Sequence, residues 1–423
     1  MRTLLKNCKI VNHNRTLEGS IIIKDGIIED ICTDNSSIVA DKEYDCKHNY
    51  VLPGLIDMHS HMREPGYEYK EDITSAGKAA VAGGITSACC MANTKPVIDN
   101  GSVASYIVNK GEKDGLIDVL PYGAVTKGLK GAEITEMGDL LENGVCGFSD
   151  DGHTIMNAEV MRRGLEYARY FDSFIAVHAI DTNLLALGDI NEGKISAING
   201  LKGIPSESET VIVIRDILLA RLTKSHVHIC HVSAKETVDL IRWAKNEGIN
   251  VTGEVTPHHF TLTDEYCLNY DTNYKMSPPL REDKDIEAMI EALKDGTLDC
   301  IATDHAPHQE DEKFVEFGLA PVGIIGYQTA IPLTIKRINE GRLSWQDFAR
   351  VMSYNPAKIL KKNNLGEISK GKQADITVID PNIEYLYSKD INYSKSVNSP
   401  FLNTMLKGRA IYTFKKGNLV YSC

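Results

Sequence analysis

Short runs in which apolar and polar residues alternate occupy both ends of the chain. Residues 4–11, 19–23 and 26–31 read as strands, and Asp25-Gly26 between the last two is a hairpin turn signal. The far end has the same texture at 374–380 and 410–414, with Lys416-Gly417-Asn418 turning into Leu419-Val420-Tyr421. The middle is different. Eight apolar runs recur there, at 51–61, 84–91, 117–124, 145–151, 174–178, 227–231, 249–255 and 298–304. Helical spacing lies between them, as at 157–169, where Met161, Leu165 and Ala168 share a face, and at 233–246. Eight repeats of strand then helix predict an α/β fold, a (β/α)8 TIM barrel over 52–365. The strand-rich ends, 1–51 and 366–423, predict a small β-sandwich domain built from both termini. A doubly wound open sheet is the runner-up. That fold normally carries a Gly-rich phosphate loop, and neither that fingerprint nor a P-loop occurs here.

Composition narrows the class. At 423 residues, 43% hydrophobic and 25% charged, the chain is an ordinary globular one with ample core. No apolar run is long enough to span a bilayer, and Met1-Arg2-Thr3-Leu4-Leu5-Lys6 lacks a secretory signal's apolar stretch. Ten cysteines without a Cys-x-x-Cys pair read as reduced, which fits a cytoplasmic enzyme. A formal charge of −12 argues against nucleic acid or an anionic membrane as partner. It also requires any anionic substrate to find a local positive pocket.

The candidate chemistry sits where the apolar runs end. His59 and His61, one residue apart, close the first; Asp150-Asp151, His178, His231 and Asp304 close the fourth, fifth, sixth and eighth. In a closed parallel barrel all these ends converge on one rim. Four imidazoles and two carboxylates suffice for two divalent metals, one carboxylate bridging and a position left for water. A single histidine among thirteen is more often structural than ligating, but five runs each ending in a ligand-type residue is a pattern. Zinc is the default for imidazole-rich donors, with manganese or cobalt as alternatives. Alternation places His231 in phase with Val227 and Ile229, and His226 and His228 on the other face, as core or supporting groups. His258 and His259 read as supporting groups as well. Spacing does not choose between Asp150 and Asp151.

These residues resemble the amidohydrolase superfamily and, within it, the type I dihydroorotases of bacteria. The resemblance runs along the whole chain. It is carried by Pro53-Gly54-Leu55-Ile56-Asp57-Met58-His59-Ser60-His61-Met62-Arg63-Glu64-Pro65-Gly66, Met91-Ala92-Asn93-Thr94-Lys95-Pro96, Gly147-Phe148-Ser149-Asp150-Asp151-Gly152, Ile229-Cys230-His231-Val232-Ser233, Glu254-Val255-Thr256-Pro257-His258-His259 and Ala302-Thr303-Asp304-His305-Ala306-Pro307-His308. It implies two Zn2+ per subunit on His59, His61, His178, His231 and Asp304, with Asp151 bridging. It implies substrate contacts from His61, Arg63, Asn93, Ser277, His308 and the backbone of Val322 and Gly323. Allantoinases and hydantoinases share the barrel but resemble one another in a carboxylated lysine at the end of strand 4. Here that run ends in aspartates. Two residues depart from the family pattern: Ser277 stands where asparagine is expected, and Gln328 where glutamate is usual.

The resemblance further implies a reaction, the reversible interconversion of N-carbamoyl-L-aspartate and (S)-dihydroorotate plus water in pyrimidine (UMP) biosynthesis. In it Asp304 acts as general base and then acid, Arg63 offers a bidentate fork to a substrate carboxylate, and Asn93 donates an amide N–H. His308 lies in a polar stretch, 306–313, expected to be a mobile loop that closes over substrate. A homodimer is implied by family habit alone. The competing readings are an allantoinase- or hydantoinase-like cyclic amidohydrolase and a non-catalytic assembly partner of aspartate transcarbamoylase. The full set of ligand-type residues argues against the second.

Overall fold

In the computed structural model, which describes residues 1–33 and 38–423, backbone pairing sorts the strands into two large sheets. The chain begins with β1 (Arg2–Asn12), β2 (Arg15–Lys24), β3 (Ile27–Cys32), β4 (Lys42–Asp45) and β5 (Tyr50–Pro53). β1, β2 and β3 form an antiparallel meander, while β4 and β5 pair with β1 in parallel. Asp25 and Gly26 join β2 to β3 with φ of 50° and 82°. Both lie in the left-handed region that a tight hairpin turn demands.

The barrel strands follow as β6 (Leu55–Ser60), β7 (Ile85–Cys90), β8 (Asp118–Gly123), β9 (Gly147–Phe148) and β10 (Phe174–Val177). A two-stranded insertion, β11 (Ile190–Asn191) with β12 (Gly203–Ile204), precedes β13 (His226–Ile229), β14 (Val251–Val255) and β15 (Cys300–Ile301). The eight barrel strands are parallel neighbours in chain order. The ring closes where Ser60 bridges to His305 in parallel, with Asp304 N donating to His59 O at 2.9 Å and His61 N to His305 O at 2.8 Å. Met58, Cys89, Tyr122, Phe174, Cys230 and Cys300 fill the interior. Leu55, Ala88, Val119, Ile175, Val227 and Ile301 face outward onto helical residues such as Leu165, Val213, Ile241 and Leu293. Burial on both faces is why these strands read as unbroken apolar runs rather than alternating ones.

The last strands, β16 (Ile376–Leu386), β17 (Met405–Lys415) and β18 (Asn418–Ser422), rejoin the first sheet, with β16 antiparallel to β5. That sheet wraps a core of Leu5, Ile10, Ile21, Ile23, Val51, Ile376, Val378 and Phe414. Tyr44 of β4 meets Phe414 of β17 edge to face, ring centres 5.2 Å apart. Val11, Leu52, Ile379 and Ala410 of the same strands belong to the barrel's outer core, so the two layers share apolar contacts.

One structural difference from the sequence expectation matters for the site. The single apolar run 51–61 is two strands in two sheets, broken at Gly54. Gly54 N donates to Asp375 O at 2.8 Å, and a Cβ at Gly54 would lie 2.2 Å from Thr86 Oγ1. Only glycine lets the chain cross there. All ten cysteines are outside disulfides. Among the described residues no helix is long and apolar enough to cross a membrane.

Candidate active site

The site grows from the ends of the barrel strands. His59 lies within β6, His61 just past it, Asp151 three residues after β9, His178 directly after β10, His231 two after β13 and Asp304 three after β15. All six are buried or nearly so. His59 Nε2 and Asp151 Oδ1 stand 3.3 Å apart, yet neither makes a hydrogen bond within the described residues. His61 Nε2, His178 Nδ1 and His231 Nε2 each lie 3.6 Å from an Asp151 carboxylate oxygen. Asp304 Oδ1 lies 3.0 Å from His61 Nε2 and 3.6 Å from His59 Nε2.

These spacings have a simple physical reading. Two donors held at ~2.1 Å in a tetrahedron stand about 3.4 Å apart. The donor atoms of His59, His61 and Asp151 fall within 4.8 Å of one another, and so do those of Asp151, His178 and His231. Asp151 is common to both groups. Buried acceptors and ring nitrogens left without hydrogen-bond partners cost free energy unless something else occupies the space between them. The donor set therefore fits a metal cofactor.

The ring orientations are fixed from behind. Glu254 Oε1 takes the His59 Nδ1 position at 2.7 Å, which turns His59 Nε2 toward Asp151. Asn93 Oδ1 does the same for His61 Nδ1 at 3.1 Å, while Asn93 Nδ2 donates to Asp151 O at 3.3 Å. Such supporting acceptors set the tautomer and aim of a ligating imidazole. The Asp150/Asp151 ambiguity also resolves by geometry. Asp150 Oδ1 accepts from Val125 N at 2.8 Å and Thr126 N at 3.0 Å, and Oδ2 is bonded to Thr126 Oγ1, so Asp150 faces away and Asp151 faces the cluster.

Burial opposes ionisation of Asp304, but the His59 and His61 rings outweigh it and hold its carboxyl well below the usual range. Asp151 is lowered in the same way, burial being overcome by His59, His178 and His231.

A cavity of about 310 Å3 opens onto this cluster. It is lined by His61, Arg63, Asn93, Ser277, His308, Val322 and Gly323, the whole set expected from the resemblance, together with Asp151, His178, His231 and Asp304. Arg63 lines the same cavity, within the electrostatic reach of Asp304 and Asp151, its Nε donating to Pro307 O at 3.1 Å. Lys70 Nζ lies 3.4 Å from His308 Nδ1, while His308 Nε2 lies 3.0 Å from Val322 O and 3.3 Å from Arg63 Nη2. Burial, then Arg63, Lys70 and Lys313, push the His308 imidazole down to about 2, so it is neutral. Gly323 has φ of 100°, and a Cβ there would sit 2.7 Å from Ala306 Cβ.

Local backbone and polar partners decide the remaining placements. His231 is in phase by number with Val227 and Ile229, which face the helices, yet it points into the mouth. Its φ of 32° re-aims it; Arg63 and Asp304 share this left-handed backbone, with φ of 62° and 46°. Such conformations cost of order 1–3 kcal/mol each and persist where the surroundings hold them. The stretch after His308 contains a helical turn, Glu310–Lys313, whose Glu312 accepts from Gln309 N at 3.0 Å, and His308 itself is buried. His259 Nε2 donates to Pro278 O at 2.9 Å and its Nδ1 accepts from Thr256 Oγ1 at 2.7 Å, holding the segment beside Ser277. Gln328 bonds the backbone of the C-terminal segment, donating to Ile391 O and accepting from Tyr393 N, both at 2.8 Å. A glutamate could not make the first of these.

Glu254 is the residue that sequence reasoning passed over. It appears in the family motif, but as a lone acid inside an apolar strand its only signal was that a buried carboxylate needs a partner. The structure supplies two: His59, and His228 Nε2 at 3.1 Å. Burial would raise Glu254, yet His59 and His228 bring it down to about 2.

Comparison with known proteins agrees with this geometry. Residues 48–237 match the family model described as Dihydro-orotase-like. A dihydroorotase of Geobacter sp. (strain M21) is 46% identical over 423 residues, covering 100% of this chain and 99% of its own. One from Endomicrobium trichonymphae is 47% identical over 425 residues, covering 100% of both. Among solved structures, the L-hydantoinase (dihydropyrimidinase) of Arthrobacter aurescens superposes with a TM-score of 0.89 over 99% of this chain and 96% of its own, at 24% identity, which speaks for the fold. With identity near one half along the full length of both partners, and a metal-type donor cluster at the mouth of the shared barrel, the chain belongs to the dihydroorotase family.

Proposed function

We propose that the protein is a zinc-dependent dihydroorotase that interconverts N-carbamoyl-L-aspartate and (S)-dihydroorotate plus water, the ring-closing step of pyrimidine synthesis. The observation that carries this reading is the polarity of the cavity. A cluster of four imidazoles about two carboxylates and the Arg63 guanidinium share the same small cavity. A substrate with a scissile amide and a carboxylate on one small ring matches both groups.

Two Zn2+ would be held by His59, His61 and Asp304 on one side and His178 and His231 on the other, with Asp151 between them. When bound they supply Lewis acidity that polarises the scissile carbonyl and lowers the pKa of a bound water from ~15.7 to about 7. The remaining steps belong to the chain. Asp304, ionised and 3.0 Å from His61 Nε2, accepts the proton of the attacking water and delivers it to the departing ring nitrogen. Arg63 pairs with the substrate carboxylate, offsetting the unfavourable overall charge of −12. Asn93 keeps one N–H for the ring after the other is committed to Asp151 O. His308, Ser277 and the Val322–Gly323 backbone complete the wall.

The barrel of 52–365 carries this chemistry, with 1–51 and 366–423 as the second domain. A cytoplasmic homodimer that associates with aspartate transcarbamoylase extends the reading; light scattering of the protein alone and with the transcarbamoylase added tests it.

The deciding experiment is a substrate panel of dihydroorotate, allantoin and hydantoin on metal-replete and chelated protein. Turnover of dihydroorotate that disappears on chelation and returns with zinc is expected. Preferential turnover of allantoin or hydantoin would replace the reading with its nearest neighbour. Ring closure consumes one proton, because an ionised carboxylate becomes an amide carbonyl. The equilibrium ratio of dihydroorotate to N-carbamoyl-L-aspartate is therefore expected to fall about tenfold per pH unit above the carboxylate range. A ratio that stayed flat from mildly acidic to alkaline buffers would rule out this substrate pair.

A further inference from the structure

The segment between residue 391 and β17 lies against residues 70–71 and 306–325, which run beside the cavity. Ser396 Oγ donates to Lys70 O at 2.8 Å, Lys395 N donates to Glu71 Oε1 at 3.2 Å, and Ser394 Oγ bonds Glu71 Oε2. Gln328 fixes the start of the segment through Ile391 O and Tyr393 N. At its far end Asn398 is buried, and its side chain is fully used. Oδ1 accepts from His308 N at 3.0 Å, while Nδ2 donates to Ala306 O at 2.9 Å and to Gly323 O at 3.2 Å. Its own carbonyl accepts from Ile325 N at 3.0 Å.

Asn398 does not line the cavity, but the residues it ties together do. His308 and Gly323 come from different stretches of chain. The stretches also meet through the His305–Ile324 bridge with its Ala306 N to Ile324 O bond, His308 Nε2 on Val322 O, and Lys313 Nζ donating to Pro321 O and Gly323 O. Among the described residues, Asn398 alone bonds the His308 backbone and Gly323 O with one side chain. We propose that Asn398 is a positioning residue for substrate binding: one amide from the C-terminal segment sets the separation of His308 and Gly323 across the binding wall. This rests on the reading of the cavity as the dihydroorotate site. A primary amide is the one small side chain that offers an acceptor to the His308 N–H and donors to two carbonyls at once. The terminal sheet thereby contributes to the site without touching the substrate.

The test measures kcat and KM for dihydroorotate in the zinc-loaded full-length protein, with wild type, Asn398→Ala, Asn398→Asp, His308→Ala and the His308→Ala/Asn398→Ala pair. Loss of these hydrogen bonds is expected to raise KM about tenfold in Asn398→Ala, with kcat changed less than about threefold. Zinc content should stay at the wild-type level. Asn398→Asp keeps the acceptor for His308 N–H but sets an oxygen against the two carbonyls, and is expected to raise KM likewise. It serves as the informative variant should alanine prevent folding. Because Asn398 acts through His308, its replacement in the His308→Ala background is expected to cost distinctly less than in wild type. Unchanged KM in both single variants, or effects of Asn398→Ala and His308→Ala that simply multiply, would overturn the proposal. A wild type inactive on dihydroorotate sinks the underlying functional reading instead, and this inference with it.

Discussion

Replacing Asp304 by asparagine is expected to reduce turnover of dihydroorotate by about 10²- to 10⁴-fold, the usual worth of a positioned general base. The two side chains have nearly the same size, so the packing around β15 is kept. Backbone anchoring is kept as well, because it is Asp304 N that bonds His59 O at 2.9 Å. What is lost is an oxygen able to hold a proton, 3.0 Å from His61 Nε2 and 3.6 Å from His59 Nε2. His59, His61, Asp151, His178 and His231 remain, so the variant should retain at least one metal ion by elemental analysis. Full activity in a metal-replete variant would remove Asp304 from the mechanism.

The second large effect is expected at a residue that touches neither cavity nor substrate. Glu254 is fully buried and spans His59 Nδ1 at 2.7 Å and His228 Nε2 at 3.1 Å. Glu254→Gln preserves shape but leaves a single oxygen for two imidazoles and turns an amide N–H toward one of them. Loss of such a supporting acceptor costs about 10- to 100-fold in metal affinity. Removing the charge from a buried pair also destabilises by ~3–5 kcal/mol. Competition for zinc with a chelator of known affinity reads the first effect, and the denaturation midpoint reads the second. Wild-type values for both would mean that His59 is aimed by the barrel backbone alone.

His59 and His61 could be read as a pair because a strand brings i and i+2 to one side, and the eight runs with intervening helical spacing were enough for the barrel. Both signals are local: they depend on side-chain periodicity, which survives in a one-dimensional string. The Asp150/Asp151 choice was not legible, because it turns on which carboxylate the Val125 and Thr126 N–H groups claim, and those lie 25 and 24 positions from Asp150. His231 shows where periodicity fails. Counting by twos from Val227 puts it outside the barrel, and a single left-handed residue after the strand brings it back in. The break at Gly54 escaped for a related reason: an apolar run looks the same whether it feeds one sheet or two.

By itself, then, the chain's pattern of apolar runs determined a closed parallel barrel between two strand-rich ends, and the residues terminating those runs determined a metal-type donor set. Periodicity and end position are properties of neighbours in sequence, and burial enforces them strand by strand. Only the tertiary structure decided which of two adjacent aspartates faces the cluster, that Glu254 stands behind His59, and that Asn398, 90 residues from His308, reaches the mouth of the barrel. These are pairings of buried polar groups between distant segments. Each group has to find a partner, but which partner it finds depends on where the whole fold puts the donors and acceptors.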